Sequence, residues 1–352
     1  FQVAPIYDGS QNIDPTEVDF SLSIWSGNIV GDKPSTPNYT YNKKPRFISD
    51  KEIYITTDKQ TSDLIEHEYN GTLNAKCVFV ESNIITKYLD VTEQELTSDK
   101  TVIAFDGYGG FKDGVNPTFN DIMISNRHIS VLSGENINIP FYKNGDNYTV
   151  YSRTGTTVID TQSITNTEII NTSEAVEYLS FASNGINNIL ISNTDTLEDT
   201  IISVEVITEC TYAPIKCTFV NSRGALQDFY FFKSNKESAK FKNESYKRDT
   251  ISSNIVGNNV VISYDNNKHT NKAYNKQGSK SIDVNSGYID QDNNIVIEEL
   301  LMSEYVWLTV DSVVYPVDVD TKSVEYLTRL NDQLIKYAIK FNYSFDIKQN
   351  IR

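Results

Sequence analysis

The residues that most often carry out chemistry are few in this chain and far apart. The three histidines are His67, His128 and His269, and none has a second ligand-type residue at the spacing typical of a zinc site. There is no H-E-x-x-H motif, no G-x-S-x-G nucleophile elbow and no phosphate-binding P-loop. We therefore expect no catalytic residue, no cofactor and no metal, and we interpret the chain as non-enzymatic.

Acidic residues suggest two further chemistries. The segment Asp290-Gln-Asp-Asn-Asn294 begins like an EF-hand calcium loop, but Ile295 replaces the required Gly and Leu301 replaces the required Glu. We interpret the segment as a polar turn before a helix, with Asn293 or Asn294 as the cap. A glycosidase needs two carboxylates at a defined spatial separation, and the sequence singles out no pair among its 47 Asp and Glu residues.

Two aromatic or glycine-rich stretches are candidates for contacting a partner. In Asp106-Gly-Tyr-Gly-Gly110 the glycines permit either close backbone approach to a ligand or tight turns. If this loop faces a partner, Tyr108 and Phe111 are its candidate contacts. In Phe229-Tyr-Phe-Phe232 the side chains of a strand must point to both faces. We expect both sides of that strand to be buried, and the alternative is an aromatic platform for a ligand.

The element with the clearest pattern is the last strand. From Ile335 to Phe345 every second residue is large and apolar, and the residues between them include Lys336 and Lys340. This period of two predicts a strand with one buried face. We expect the face with Lys336 and Lys340 to provide strand pairing or contact with a neighbouring subunit.

Short alternating segments between polar turns predict a mostly β protein with two or three β-sandwich-like modules and few short helices. We place an N-terminal β domain at 1–131, a small β-sandwich-like domain at 132–209 and a C-terminal β-rich domain at 210–352. The charged stretch Lys233 to Arg248 predicts a solvated hairpin or loop.

Two helices are predicted. Ser62 is expected to cap a short helix over residues 63–68. A second helix, near 293–303, is expected to turn Ile295, Leu300 and Leu301 toward the core and Glu298 and Glu299 toward water.

Bulk properties restrict the partners. A formal net charge of −16 disfavours nucleic-acid binding. No apolar run reaches the roughly 18 residues of a membrane-spanning helix, so we expect no membrane insertion. Cys210 and Cys217 are either bridged or buried free thiols. Because the chain begins at Phe1 rather than Met, we expect a proteolytic processing site or a trimmed start.

Segments at both ends of the chain resemble one family. At the N-terminus they are Phe1 to Asp8, Ile24 to Gly27 and Pro45 to Phe47. In the C-terminal part they are Cys210 to Cys217, Phe219 to Lys233, Lys236 to Ser238, Glu244 to Arg248, Ser286 to Asp290, Glu298 to Glu304, Val306 to Trp307 and Thr328 to Tyr337. They are similar to virion structural proteins of tailed phages that infect Bacteroidota, especially marine Flavobacteriia. The similarity is weakest from about residue 130 to residue 205.

This resemblance implies a subunit of the phage tail tip or baseplate region that assembles with other copies of itself into a ring. It implies contacts with neighbouring virion proteins, a location in the virion after synthesis in the host cytoplasm, and no active-site residues. The alternatives are a receptor- or carbohydrate-binding virion protein that contacts a host surface glycan, a capsid-associated protein and a glycan-degrading protein.

Overall fold

The structure is a computed structural model that describes residues 6–8, 11–13, 15–27, 36–45, 55–88, 91–97, 102–109, 121–143, 145–169, 171–209, 211–321 and 334–348. Within these ranges strands dominate, and the α-helices are two short ones, α1 (Asp58–Ser62) and α2 (Asn294–Met302). The expected mostly β class with few short helices is confirmed. Neither helix is long and apolar enough to cross a membrane.

The N-terminal part of the chain forms an antiparallel sheet after a small hairpin of β1 (Ile6–Asp8) and β2 (Gln11–Ile13). Its order is β4-β3-β5-β6, with a further strand, β7, paired to β5. The strands are β3 (Pro15–Trp25), β4 (Tyr39–Lys43), β5 (Cys77–Tyr88), β6 (Val91–Thr97) and β7 (Val102–Phe105). Val18, Phe20, Leu22 and Ile24 of β3 are buried, as an alternating strand requires.

The middle of the chain forms two sheets over one apolar core, which is a sandwich-like arrangement. The larger sheet has the order β11-β10-β13-β14-β8, the smaller one pairs β12 with β9, and only the β14–β8 pair is parallel. The strands are β8 (His128–Leu132), β9 (Asn136–Tyr142), β10 (Tyr148–Thr154), β11 (Thr157–Ile164), β12 (Val176–Ala182), β13 (Asn188–Asn193) and β14 (Asp199–Ile207). Both sheets contribute side chains to the core, among them Phe141 and Phe181 from the smaller sheet and Val150 and Ile191 from the larger.

The C-terminal part forms a seven-stranded antiparallel sheet with the order β16-β15-β21-β22-β23-β20-β17. A two-stranded hairpin, β18 with β19, is separate from it. The strands are β15 (Ile215–Val220), β16 (Leu226–Phe231), β17 (Lys236–Lys247), β18 (Ile251–Val256), β19 (Asn259–Tyr264), β20 (Asn271–Asp290), β21 (Val306–Val310), β22 (Val313–Val319) and β23 (Leu334–Asp346). Helix α2 packs on the core of this sheet through Val296, Ile297 and Leu300.

The two predicted helices are only partly correct. Helix α2 has nearly the predicted bounds, but Ile295 is 48% exposed and Glu299 is only 5% exposed, so their predicted orientations are wrong. Val296, Glu299 and Leu300 share one face because residues three and four apart are neighbours on a helix. The helix predicted after Ser62 instead ends there, since α1 spans Asp58–Ser62.

The cysteine alternatives are resolved for Cys217. It is a buried free thiol, as is Cys77, and Cys210 lies outside the described residues. Burial raises the pKa of the Cys77 thiol to about 12. Both thiols act as small core residues rather than as nucleophiles.

The alternation predicted for the last strand is confirmed by β23. Tyr337, Ile339, Phe341 and Tyr343 are buried, and the side chains between them are exposed or half-buried. However, β23 is an interior strand that pairs with β20 on one side and, at residues 341–343, with β22 on the other. Strand pairing of β23 with another subunit is therefore wrong along these paired edges, and the edges of the sheet are β16 and β17. Contact of a neighbouring subunit with the face of Lys336 and Lys340 stays a prediction.

Replacing Phe341 with Ala should strongly destabilise the fold. Its ring is fully buried and lies 6.0 Å from the Phe231 ring, centroid to centroid. We expect the free energy of unfolding in urea to fall by about 3–5 kcal/mol, because the change leaves a cavity.

Lys340→Glu is the matched control. The Lys340 side chain is 45% exposed, and its Nζ lies 3.4 Å from Asp320 Oδ2. Losing this surface pair should cost less than about 1 kcal/mol. If Lys340→Glu proved the more destabilising of the two changes, the assignment of the buried face would be wrong.

Candidate interaction surface

The loop that contains Tyr108 is held by backbone contacts to the turn after β15. Tyr108 N–H donates to the Ser222 carbonyl at 2.8 Å. A Cβ on Gly107 would lie 2.7 Å from that carbonyl oxygen, and one on Gly224, where φ is +79°, would lie 2.8 Å from Phe105 Cβ. The glycines therefore permit two backbones to pack closely within the protein.

The Tyr108 side chain is 41% exposed. Partial burial, followed by the charges of Glu299 and Glu298, raises the pKa of its hydroxyl to about 12. It is therefore a neutral aromatic group at the surface and remains a candidate contact. Its predicted companion, Phe111, lies outside the described residues.

Lys336 and Lys340 are both exposed on the same face of β23. The Lys340 ammonium faces Asp320, so one of the two predicted contacts already has an acidic neighbour. Both side chains are accessible on the sheet surface, and they are far from Tyr108 in sequence.

The three histidines have different surroundings. Within the described ranges, no group of three or more His, Cys, Asp and Glu residues could hold a metal ion. His67 is buried, with Nε2 3.4 Å from Asp106 Oδ2 and its ring edge-on to Tyr305. His269 lies on an exposed segment after β19.

His128 lies in an arrangement that the sequence did not reveal. Its Nδ1 is 2.8 Å from Ser203 Oγ, and its Nε2 is 3.7 Å from Glu205 Oε2. The order hydroxyl, imidazole, carboxylate resembles that of a hydrolytic triad. However, Ser203 donates both its N–H (2.8 Å) and its hydroxyl (3.2 Å) to the Arg127 carbonyl. These bonds fit a strand residue in a flat sheet better than a nucleophile presented on a sharp turn.

A buried polar junction connects three distant segments of the chain. The Glu299 carboxylate accepts hydrogen bonds from Ser222 N–H (3.2 Å), from Ser222 Oγ (2.7 Å) and from Ser125 Oγ. Gln227 Oε1 accepts from Ser125 N–H and from Asn221 Nδ2, both at 3.0 Å. The junction satisfies a buried carboxylate with fixed donors and is structural.

A two-stranded β arm, which we define as residues 236–280, is exposed along most of its length. Every residue of β17, β18 and β19 is exposed. Strand β17 pairs with β20 from Lys236 opposite Asp283 to Lys247 opposite Asn271, and β18 pairs with β19 beyond that. The predicted solvated hairpin or loop over Lys233 to Arg248 is confirmed, because most of this stretch forms β17, an exposed strand of the arm.

The tip of the arm, defined as residues 249–267, has one apolar face. Cross-strand pairs place Ile251 opposite Tyr264, Ser253 opposite Ile262 and Ile255 opposite Val260. Because alternate residues share a face, the five apolar side chains of these pairs form a continuous row. Their exposed fractions are 63% for Ile251, 78% for Ile255, 65% for Val260, 68% for Ile262 and 74% for Tyr264.

The opposite face of the tip is more polar. It carries Ser252, Asn254, Asn259 and Ser263 together with two exposed valines, Val256 and Val261. The hydroxyl oxygens of Ser252 and Ser263 lie 3.0 Å apart. An isolated two-stranded ribbon is marginally stable in water, and an exposed apolar patch of this kind marks an interaction site. The arm is therefore the best candidate for a functional surface.

Comparison of the chain with models of protein families, with curated proteins and with solved structures gave no match.

Removing the Glu299 carboxylate should loosen the polar junction. In Glu299→Ala the N–H and hydroxyl of Ser222 lose their acceptor, whereas the Ser125 hydroxyl keeps Gln227 Oε1 at 2.6 Å. Leaving the half-buried Ser222 donors unpaired should lower the free energy of unfolding by about 1–3 kcal/mol. Glu304→Ala is the control, because Glu304 is exposed just beyond the same helix, and its effect should stay within about 0.5 kcal/mol. Equal urea midpoints for the two variants would contradict the assigned role of the junction.

Proposed function

We propose that this protein is a non-enzymatic structural subunit of a phage particle, in the tail tip or baseplate region, where copies of it assemble into a ring. The single observation that carries the proposal is the arm, whose tip exposes a row of five apolar side chains. A surface of this kind suits a component that becomes buried in an assembly. The sequence resemblance to phage virion proteins supports the same class.

The arrangement of the rest of the molecule supports a structural role as well. The cores of the middle and C-terminal sheets meet at β16, because Tyr230 and Phe232 pack in one core and Phe229 and Phe231 in the other. A body joined through shared cores can present an arm in a fixed direction. Copies joined by the arm of one to the body of the next would form a cyclic, heterologous contact.

The proposal predicts that the chain copurifies with infectious particles and that the tip is needed for their assembly. We expect mass spectrometry of gradient-purified virions to detect the chain, and electron microscopy of the particles to locate it in the tail. The double change Ile255→Ser and Ile262→Ser should reduce the yield of complete particles, because it removes apolar surface without touching the buried cores.

The control for this experiment is Ser252→Ala with Asn254→Ala, on the polar face of the same hairpin. It should leave particle yield close to that of the wild type. Absence of the chain from purified virions would exclude the proposed function. An equal loss of particles in both double variants would show that the apolar face has no special role.

A second candidate function is binding of a receptor or surface glycan by the virion. The observation that favours it is the partly exposed, neutral Tyr108 ring on a loop fixed by backbone contacts, since exposed aromatic rings stack on sugars and proteins.

This second function predicts that Tyr108→Ala raises the Kd of particles for host cells about tenfold, the effect of losing roughly 1.4 kcal/mol of binding energy. Tyr39→Ala is the matched control, because Tyr39 is 39% exposed on a different strand. Equal Kd values for the two variants would remove Tyr108 as the receptor contact.

A further inference from the structure

We propose that the arm of one copy lies on the outer face of the large middle sheet of a neighbouring copy. This inference rests on the proposed function insofar as it takes the partner to be a second copy of the chain. It adds which two surfaces meet and what holds them together.

Positive and negative charges are segregated along the chain. The shaft of the arm, defined as residues 236–248 and 268–280, carries nine Lys and Arg residues against two Glu, a net charge of +7. The rest of the chain carries 22 Lys and Arg against 45 Asp and Glu, a net charge of −23. A basic arm on an acidic body is electrostatically complementary to the body of another copy.

The middle of the chain is the most suitable acidic surface. Residues 132–209 contain 11 Asp and Glu but only two basic residues, Lys143 and Arg153, a net charge of −9. Of the two, Lys143 has its Nζ 3.6 Å from Glu177, and Arg153 lies over the Tyr151 ring at 5.2 Å. The shaft and this segment of the chain therefore carry net charges of opposite sign and similar size.

The outer face of the larger middle sheet also offers apolar area for the tip. Tyr151 of β10 is opposite Leu190 of β13, which is opposite Ile201 of β14. This row crosses three strands. Ile201 is 59% exposed, Tyr151 is half-buried and Leu190 is buried, so Ile201 provides most of the accessible apolar area. On the same face of β14, Asp199 lies two residues before Ile201 and Glu205 lies four residues after it, and both are exposed. The apolar residues of this face can pack against the apolar row of the tip, and its carboxylates can pair with the lysines of the shaft.

Nucleic acid is a poorer fit for the arm. Residues 249–265 contain no Lys or Arg, and their only charged side chains are Asp249 and Asp265. A nucleic-acid-binding arm would carry its cations along the whole contact, because phosphate neutralisation supplies most of the affinity. The apolar row at the tip, in contrast, suits a protein surface.

The experiment is sedimentation velocity of the purified full chain, with charge reversals on each surface. Lys240→Glu, Lys242→Glu and Lys276→Glu reverse charges on the shaft, where all three residues are exposed. Asp199→Lys and Glu205→Lys reverse two charges on the outer face of the large middle sheet. Each variant alone should associate at least about tenfold more weakly than the wild type, because close charge pairs become repulsive.

The decisive step is to mix the two variants. The three changes lower the net charge of the shaft from +7 to +1, so the shaft variant loses most of its attraction for the sheet. In the mixture, the unchanged shaft of the sheet variant and the unchanged sheet of the shaft variant can still form a wild-type contact. We therefore expect an equimolar mixture to form mixed dimers with the affinity of the wild-type contact. The matched control changes three other exposed lysines to Glu, namely Lys43, Lys59 and Lys348, and should leave association within about twofold of the wild type.

Thermal melts should be unchanged in all these variants, since the substituted side chains are exposed. If the shaft variant failed to fold, Ile255→Ser with Ile262→Ser would test the same contact through the tip, and weakened association with an unchanged melt would support it. A wild-type chain that stays monomeric, a shaft variant no weaker than the control, or a mixture that stays dissociated would overturn the inference. So would oligonucleotide binding that the shaft variant abolishes while sedimentation stays unchanged.

These outcomes are separable from the proposed function. If the chain self-associates through the arm but is absent from virions, the proposed function fails and this contact stands. If the chain is in virions but purified copies never associate, this contact fails and the proposed function stands.

Discussion

The structure depends on one strand whose two faces are both buried. In β16 and the residue after it, Phe229 and Phe231 point into the core of the C-terminal sheet, whereas Tyr230 and Phe232 point into the core of the middle sandwich. The pairing of β16 with β15 sets this division, with Cys217 opposite Phe229 and Ile215 opposite Phe231. A shift of one residue would exchange the two faces. Because all four rings are large, neither core could accept the other set without voids or clashes, so the register of this strand fixes how two parts of the chain meet.

The same region is strengthened by polar contacts. The turn directly before β16 contains Asn221, Ser222 and Gly224. The Ser222 carbonyl accepts a hydrogen bond from the Tyr108 loop, and the Ser222 N–H and hydroxyl donate to the Glu299 carboxylate. The β16 region is thus surrounded by contacts from the N-terminal sheet, from the segment before β8 and from α2. By contrast, the arm leaves the sheet at its β17 edge and has no buried contact over β17, β18 and β19. This contrast between a highly cross-connected body and an uncovered ribbon is what makes the arm a candidate for partner binding.

Patterns within one element could be predicted from the sequence, and contacts between distant elements could not. The period of two identified the buried face of β23, and consecutive aromatics indicated the double burial at β16, because both follow from strand geometry alone. The burial of Glu299 depends on Ser125 and Ser222, which are 174 and 77 residues away. Similarly, His128 meets Ser203 only because β8 pairs with β14. The exposure of the tip could not be predicted from the sequence either, because the alternation between Ile251 and Tyr264 is also the pattern of a half-buried strand.

Charge segregation gives the arm a consequence for assembly. The body, defined as the chain outside the arm (residues 1–235 and 281–352), has a net charge of −21. Copies of this body repel one another, so contact between bodies is disfavoured wherever no basic surface intervenes. The arm supplies that surface on one side of each molecule only. Under the proposed contact, each copy would therefore use one arm and one sheet face, and a chain of copies would keep a free arm at one end and a free sheet face at the other. Such an arrangement satisfies every contact only when it closes, so the charge pattern that keeps bodies apart would also favour a closed ring over irregular aggregates.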